Sequence, residues 1–387
     1  MSTFKQSTIA FAIITALSST AYAVESNPTI NKAEKAPTSV SEKKSETIVT
    51  KENFINADTV RAYLKELSQT GAEINKVRTV RDRCDTDNQD VIRMNDDTLY
   101  SRVILDVKGG ATITTQPYEG YQNINVLDEN HVQIAALTGS GTVKVSEKDL
   151  STGQHVYVII RTGLLRDMKD KEAMKKKAFD AQDKITVTTN SNDPFVPKTT
   201  YSQESLDKMK FKILKDFALH PQKDLIKRGF GSVKERDLDA ARVVVAIGWG
   251  GMSSESAVYS SGTGKGDRNE ITIDTPNLGY KDKKGFFSFT VYNGDGYIAT
   301  QKYAINSDEM IPNPDGTYTL TFLASGEPTL ESDKNIIRTP RGKFYTIAIR
   351  AYAPKDAEES FKWVDKWAAK MTEKFMSKDP APTTDKK

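Results

Sequence analysis

The chain has 387 residues, 37% of them hydrophobic, and its 55 lysines and arginines nearly balance 52 aspartates and glutamates, leaving a formal net charge of +3. That balance excludes the basic surface a nucleic-acid partner calls for, while a mean hydropathy of −0.54 describes a globular chain long enough for about two domains. One cysteine, Cys84, excludes an internal disulfide, so core packing has to hold the fold.

Residues 1–23 have the grammar of a cleavable secretory signal: Lys5, an apolar stretch from Ile9 to Leu17, and small residues ending Ala21-Tyr22-Ala23. The apolar run is short of the roughly 20 residues a membrane span needs, and no later run is longer. The expectation is a periplasmic, or alternatively secreted, protein beginning at Val24 with no transmembrane segment. An uncleaved N-terminal anchor is the alternative. No cysteine stands directly after the cleavage point, Cys84 lying far downstream, which argues against a lipid anchor. From Val24 to about Asn53 the chain is Ser, Thr, Lys, Glu and Pro, a composition that predicts a disordered tether, and residues 378–387 predict a disordered tail.

Asp58 is expected to cap a helix running to about Gln69, with Val60, Tyr63, Leu64 and Leu67 at helical spacing. Short β-branched runs follow at 103–107, 111–115, 121–127, 132–135, 142–145 and 156–161, separated by turn residues, a pattern for an antiparallel sheet. Residues 167–179 and 203–219 read as amphipathic helices. A third helix starts near Asp237 and ends in Gly248-Trp249-Gly250-Gly251. Strands return at 271–274, 286–292, 297–305, 317–323 and 344–352, with Asn293-Gly294-Asp295-Gly296 as a type I′ hairpin turn. A final helix over 355–375 places Phe361, Val364, Trp367, Ala368 and Met371 on one stripe. The class is α+β: two β-rich, antiparallel, sandwich-like modules with interposed helices and a C-terminal amphipathic helix.

The three histidines, His131, His155 and His220, are far apart and lack metal-ligand spacing, so no metal and no cofactor is expected. Cys84 sits among charged residues and reads as an exposed loop thiol. The run Gly262-Thr263-Gly264-Lys265-Gly266 lacks P-loop spacing and reads as a loop. Two groupings remain. Asn95-Asp96-Asp97-Thr98-Leu99-Tyr100-Ser101 either lines a pocket or sets up strand entry through turn hydrogen bonds. Trp249, with glycines around it, is either a flat platform for a sugar or aromatic compound or a core residue at a helix end. Arg161 and Arg350 stand on apolar strands, where a charge needs a partner, and Asp97 or Asp106 could supply one.

These same residues carry a family resemblance. Asn95, Asp97, Thr98, Tyr100, Ser101 and Asp106 match the Asn-x-Asp-Thr-x-Tyr-Ser element, strand and terminal Asp of the uncharacterised bacterial family built from domains of unknown function 1254 and 1214 in tandem. Gly120-Tyr121, Val126-Leu127-Asp128, the strand 158–162, Gly248-Trp249-Gly250-Gly251 with Ala257-Val258-Tyr259, the strand 286–292, Thr339-Pro340 and 350–354 resemble its later elements in order. Phe287 stands where the family usually has Trp. A helix bearing Trp363 and Trp367 replaces its usual Gly-x-Trp end. The resemblance implies the fold and frequent export, and no agreed activity.

The expected organisation is a signal peptide (1–23), a tether (24–53), an N-terminal β-rich module (54–190), a helical connector (191–265), a C-terminal β-rich module (266–354), a helix (355–377) and a tail (378–387). The leading functional expectation is a small or oligomeric ligand, or a cell-envelope component, bound between the modules by Asn95, Asp97, Tyr100, Arg161, Trp249 and Arg350. A hydrolase using Asp97 or Asp106 as base with Arg161 at an oxyanion is the rival. The third expectation is a non-catalytic interaction module presenting the Trp363 and Trp367 stripe to a partner.

Overall fold

The computed structural model describes residues 46–87, 89, 92–220, 224–278 and 284–377. The expected signal peptide, most of the tether and the tail lie outside these residues. The described part of the expected tether is packed on the fold: Thr47 bridges to Tyr201, and Val49 is buried against Phe54, Ala241 and Val245.

The chain is α+β with two β-rich modules. In the first, β1 (Arg78–Val80), β2 (Thr98–Asp106), β4 (Gln122–Leu127), β5 (Gln133–Thr138) and β7 (His155–Gly163) form an antiparallel sheet in the order β1-β2-β7-β4-β5. A smaller sheet, β6-β3-β8, is made of β3 (Ala111–Thr115), β6 (Gly141–Val145) and β8 (Thr186–Thr189). Side chains alternate along a strand, so Val103 and Leu105 of β2 and Val156, Val158 and Ile160 of β7 share one face. That face packs on Ile113, Val143 and Val145 of the smaller sheet to make the module's core.

The second module repeats the plan. Strands β9 (Ala257–Gly264), β11 (Phe286–Tyr292), β12 (Ala304–Asn306) and β15 (Tyr345–Tyr352) form an antiparallel sheet, β12-β11-β15-β9. Facing it are β10 (Arg268–Ile273), β13 (Tyr318–Ala324) and β14 (Ile336–Thr339), the last two parallel. Phe287, Phe289, Ile347 and Ile349 meet Ile271, Leu320 and Phe322 in the core.

Among the described residues there are six α-helices: α1 (Phe54–Leu67), α2 (Lys171–Asp183), α3 (Gln203–Leu219), α4 (Leu225–Gly229), α5 (Leu238–Ile247) and α6 (Ala357–Met376). Helix α5 starts where expected, and Asp237 caps it, its carboxylate accepting the Ala240 N–H. Asp58 does not cap α1. It lies one turn inside, 2% exposed and paired with Arg61 and Lys210. The α6 stripe is intramolecular: Trp363, Trp367, Met371 and Phe375 are buried in the second core, and both indole N–H groups donate to Asp274 Oδ1 at 2.8 and 2.7 Å. The stripe therefore is not a free partner surface.

Four local expectations are corrected. Gly262 to Gly264 end strand β9 rather than form a loop; at Gly262 a Cβ would stand 2.9 Å from the Ala368 carbonyl of α6, so the glycine marks close packing rather than a turn. The stretch 297–305 is strand only from Ala304. Its preceding turn has positive φ at Gly296 alone, so it is not type I′. Cys84 is buried, with its Sγ 3.9 Å from Met94 Sδ.

Candidate ligand-binding site

Each large sheet has a second face, and these faces are where the polar strand residues go. On β7 the residues between the core valines are Tyr157, Ile159 and Arg161, and on β2 they are Tyr100, Arg102 and Ile104. Tyr100 and Arg161 are cross-strand partners. On the second module's sheet the same rule turns Ala348 and Arg350 of β15 and Tyr259 of β9 outward, and Arg350 pairs with Tyr259. Between these faces and the helices lies a cavity of about 480 Å³.

Asn95, Tyr100, Arg161, Trp249 and Arg350 all line that cavity. They come from both modules and from the turn after α5. Asp97 does not line it: the carboxylate is 2% exposed behind the wall, accepting Ser288 Oγ at 2.7 Å. Burial pushes its pKa up, with Arg350 and Arg166 opposing. Asp106 is eight residues along β2 from Thr98 and serves a turn, accepting the Lys108 and Asp193 N–H groups at 3.0 and 2.7 Å and Gln154 Nε2 at 3.0 Å. Neither aspartate pairs with Arg161, so the expected buried ion pair is absent there.

What holds Arg161 instead is backbone. Its Nη2 donates to the Gly250 carbonyl at 2.8 Å, and its guanidinium lies 5.6 Å from the Tyr100 ring centroid. The residue is 6% exposed, yet Nε and Nη1 have no acceptor among the described residues. Arg350 is better satisfied. It donates to Thr290 Oγ1 at 2.8 Å, the Arg93 carbonyl at 3.1 Å and the Tyr292 hydroxyl at 2.7 Å, again without a carboxylate in ion-pair contact. Tyr259 interacts electrostatically with both arginines, which oppose the burial that pushes its hydroxyl up to about 12. Asn95 donates to the Tyr352 hydroxyl at 2.8 Å, while its Oδ1 has no donor.

The cavity's buried carboxylate is spent. Glu66 accepts Arg78 twice, at 2.6 and 2.9 Å, and Tyr157 at 2.8 Å, with Arg102 3.6 Å away. Although burial opposes its charge, these partners hold its pKa below the usual range. Among the described residues Arg161, Arg93 and Arg350 thus stand on the wall without an ion pair, although Asp97 behind it interacts electrostatically with Arg350.

The Gly-Trp-Gly-Gly element is both helix end and cavity wall. Gly248 closes α5, its N–H bonding to the Val244 carbonyl. Gly250 has φ +84 and is clamped on both sides, with N–H donated to His131 Nε2 at 2.8 Å and C=O accepting Arg161. Gly251 meets the Phe230 ring so closely that a Cβ would lie 2.2 Å from Cζ. Trp249 packs edge-on against Tyr157 at 4.8 Å, and its Nε1 donates to Thr59 Oγ1 at 3.2 Å. Its donor is taken, so the cavity receives ring surface.

Arg93, Tyr259 and Tyr292 also line the cavity without having been expected there. The two-residue period of β9 and β11 carried the signal for the tyrosines, since each alternates with core residues Val258 and Val291. Arg93 lies outside any strand, at φ +58, donating to the Ile247 carbonyl at 2.9 Å, and nothing in its local sequence marks it.

Two protein-family models match: a protein of unknown function, DUF1254, over residues 74–163, and a second, DUF1214, over residues 260–356. No curated protein matches. The VPA0106 protein from Vibrio parahaemolyticus has a similar crystal structure at 16% identity, with a TM-score of 0.57 over 81% of this chain and 95% of that one. A putative uncharacterized protein from Burkholderia cenocepacia aligns at 11% identity and TM-score 0.45, over 79% and 84% of the two chains. The first likeness shows a shared fold. With both models matched in N- to C-terminal order, the chain carries the DUF1254 and DUF1214 domains in tandem.

Proposed function

We propose that this is an exported, periplasmic protein that binds a small anionic ligand in the cavity between its modules, with Arg161 as the anchor. One observation carries the reading: a buried guanidinium on the cavity wall has two nitrogens without an acceptor and no carboxylate partner. A buried charge left this way costs stability, and an anion from outside would satisfy it. The volume falls in the range of about 300–1,000 Å³ common for single small ligands, which favours a small molecule over an oligomer. The hydrolase reading has less support, because Asp97 is off the wall and Asp106 belongs to a turn.

The test is a thermal-shift screen of small anions (sulfate, phosphate, mono- and dicarboxylates) on the wild-type protein and on Arg161→Met. The expected result is that at least one anion raises the melting temperature of the wild type and not of the variant. Equal shifts in both, or none in either, would remove the reading. Export has its own check: the mature protein should begin at Val24.

A further inference from the structure

The cavity's walls differ in chemistry, and the difference names the kind of anion it would take. The sheet side gives Arg161, Arg350, Tyr100, Tyr259 and Asn95. Opposite, α3 to α5 and the segment after α4 give Phe217, Leu225, Phe230, Val244 and Ile247, with Phe361 from α6. No titratable side chain of α3 or α5 lines the cavity. The charged groups that α4 and α6 contribute, Lys227 and Asp365, are exposed and already engaged by Glu358 and Ser260. Trp249 stands between the two walls and, with Nε1 held by Thr59, offers ring carbon only.

We propose that the ligand is an amphipathic monoanion: one carboxylate-like group on an apolar or aromatic body. This rests on the anion-binding reading above and sharpens it. The anion count follows from the donors. Arg350 has Nη1 and Nη2 committed to protein acceptors, and Arg93 gives Nη1 to the Ile247 carbonyl, so both add charge; Arg161 is the buried arginine of the wall whose Nε and Nη1 have no acceptor among the described residues. One anchor suits one anionic group. The body then lies over Trp249 against Phe217, Leu225, Phe230 and Val244, apolar side chains beside which a second charge would be costly to desolvate. A head-only anion such as phosphate would leave that apolar wall in water. An uncharged chain would leave Arg161 unsatisfied.

The experiment is a ligand series on the full mature chain, so it does not depend on any one variant folding. Acetate, hexanoate, octanoate, decanoate, 2-naphthoate, decanol and phosphate are titrated calorimetrically and by tryptophan fluorescence. Trp249 is the tryptophan on the cavity wall, while Trp363 and Trp367 are in the second core. Affinity is expected to rise about three- to fourfold per added methylene from hexanoate to decanoate. Decanol should bind at least tenfold more weakly than decanoate, and the Trp249 emission should change. In Arg161→Gln the advantage of decanoate over decanol should vanish while decanol binding persists.

Phosphate or acetate binding as tightly as decanoate would overturn the amphipathic proposal and leave the anion site standing. Decanol matching decanoate in the wild type would overturn the anion anchor itself. No binding by any chain or ring carboxylate would overturn the amphipathic proposal, with the inorganic and dicarboxylate arms of the thermal screen deciding the broader reading separately.

Discussion

Acid should loosen the cavity wall through one histidine. His131 is 2% exposed, its Nε2 accepts the Gly250 N–H at 2.8 Å, and Arg236 donates to its carbonyl at 3.0 Å. An imidazolium there would lose its acceptor lone pair and face Arg236. Burial, with Arg236 in the same sense, pushes its pKa down to about 3 from 6.5. The folded state therefore stays neutral while the unfolded chain takes up a proton below pH 6.5. The stabilising contribution is complete above pH 6.5 and is lost as pH falls toward 3, at about 1.4 kcal/mol per pH unit. Between pH 8 and pH 5 that amounts to about 2 kcal/mol. The perturbation is His131→Gln, which keeps an acceptor near the Nε2 position and does not titrate. Urea unfolding of both proteins at pH 8, 7, 6 and 5 gives a difference in which other groups cancel. That cancellation matters because burial pushes Asp308 up to about 6, with the opposite sign over part of the same range. The wild-type advantage should shrink by about 2 kcal/mol from pH 8 to pH 5. Parallel curves would mean that His131 titrates alike in both states and would refute the reasoning.

Two further expectations concern packing. Gly251→Ala would drive a Cβ into the Phe230 ring and should cost about 1–3 kcal/mol, whereas Gly248→Ala, with nothing within 4 Å of the added carbon and φ −167, should stay within about 0.5 kcal/mol. Equal costs in urea unfolding would contradict the close-approach reading of the element. Trp363→Ala should cost about 3–5 kcal/mol and lose near-ultraviolet circular dichroism, because its ring packs on Phe287 at 5.3 Å within the second core. Deletion after Pro354 should unfold the second module. A soluble, folded deletion product would show that α6 is dispensable.

The class, the two β-rich modules and most strands were legible because β-branched runs between turn residues depend on local chemistry. The elements that escaped had weak local signals: β1 and β8 are three and four residues long, and β9 is masked by Gly262 and Gly264, which exist for packing rather than turning. Asp58 shows the converse. It has the right chemistry for a cap, but it pairs with Arg61 one turn along α1 and with Lys210, which the fold brings in from α3. Asn95, Tyr100, Arg161, Trp249 and Arg350, singled out from the sequence, all line the cavity, but Arg161 was expected to pair with Asp97 or Asp106, since a buried charge was expected to find a carboxylate. Pairing is a three-dimensional matter. Asp97 and Tyr100 are three positions apart at the start of β2, yet one is turned behind the wall and the other onto it.

The missing partner of Arg161 is also what makes its role testable without knowing any ligand. If the arginine were structural, its removal would follow the usual rule for buried polar residues and destabilise the fold. The bookkeeping points the other way. Arg161→Met gives up one charge-assisted bond to Gly250, roughly 1.5–3 kcal/mol, and a ring contact of roughly 0.5–2 kcal/mol. It relieves two unmet buried nitrogens at roughly 1–3 kcal/mol each, and methionine keeps much of the volume. Buried charges replaced by apolar groups of similar size are often neutral or stabilising for this reason. The empty variant should therefore match the wild type within about 1 kcal/mol or exceed it in urea unfolding at pH 7. A loss of more than about 2 kcal/mol would make Arg161 a keystone of the Gly250 clamp. Its unmet nitrogens would then no longer argue for a ligand.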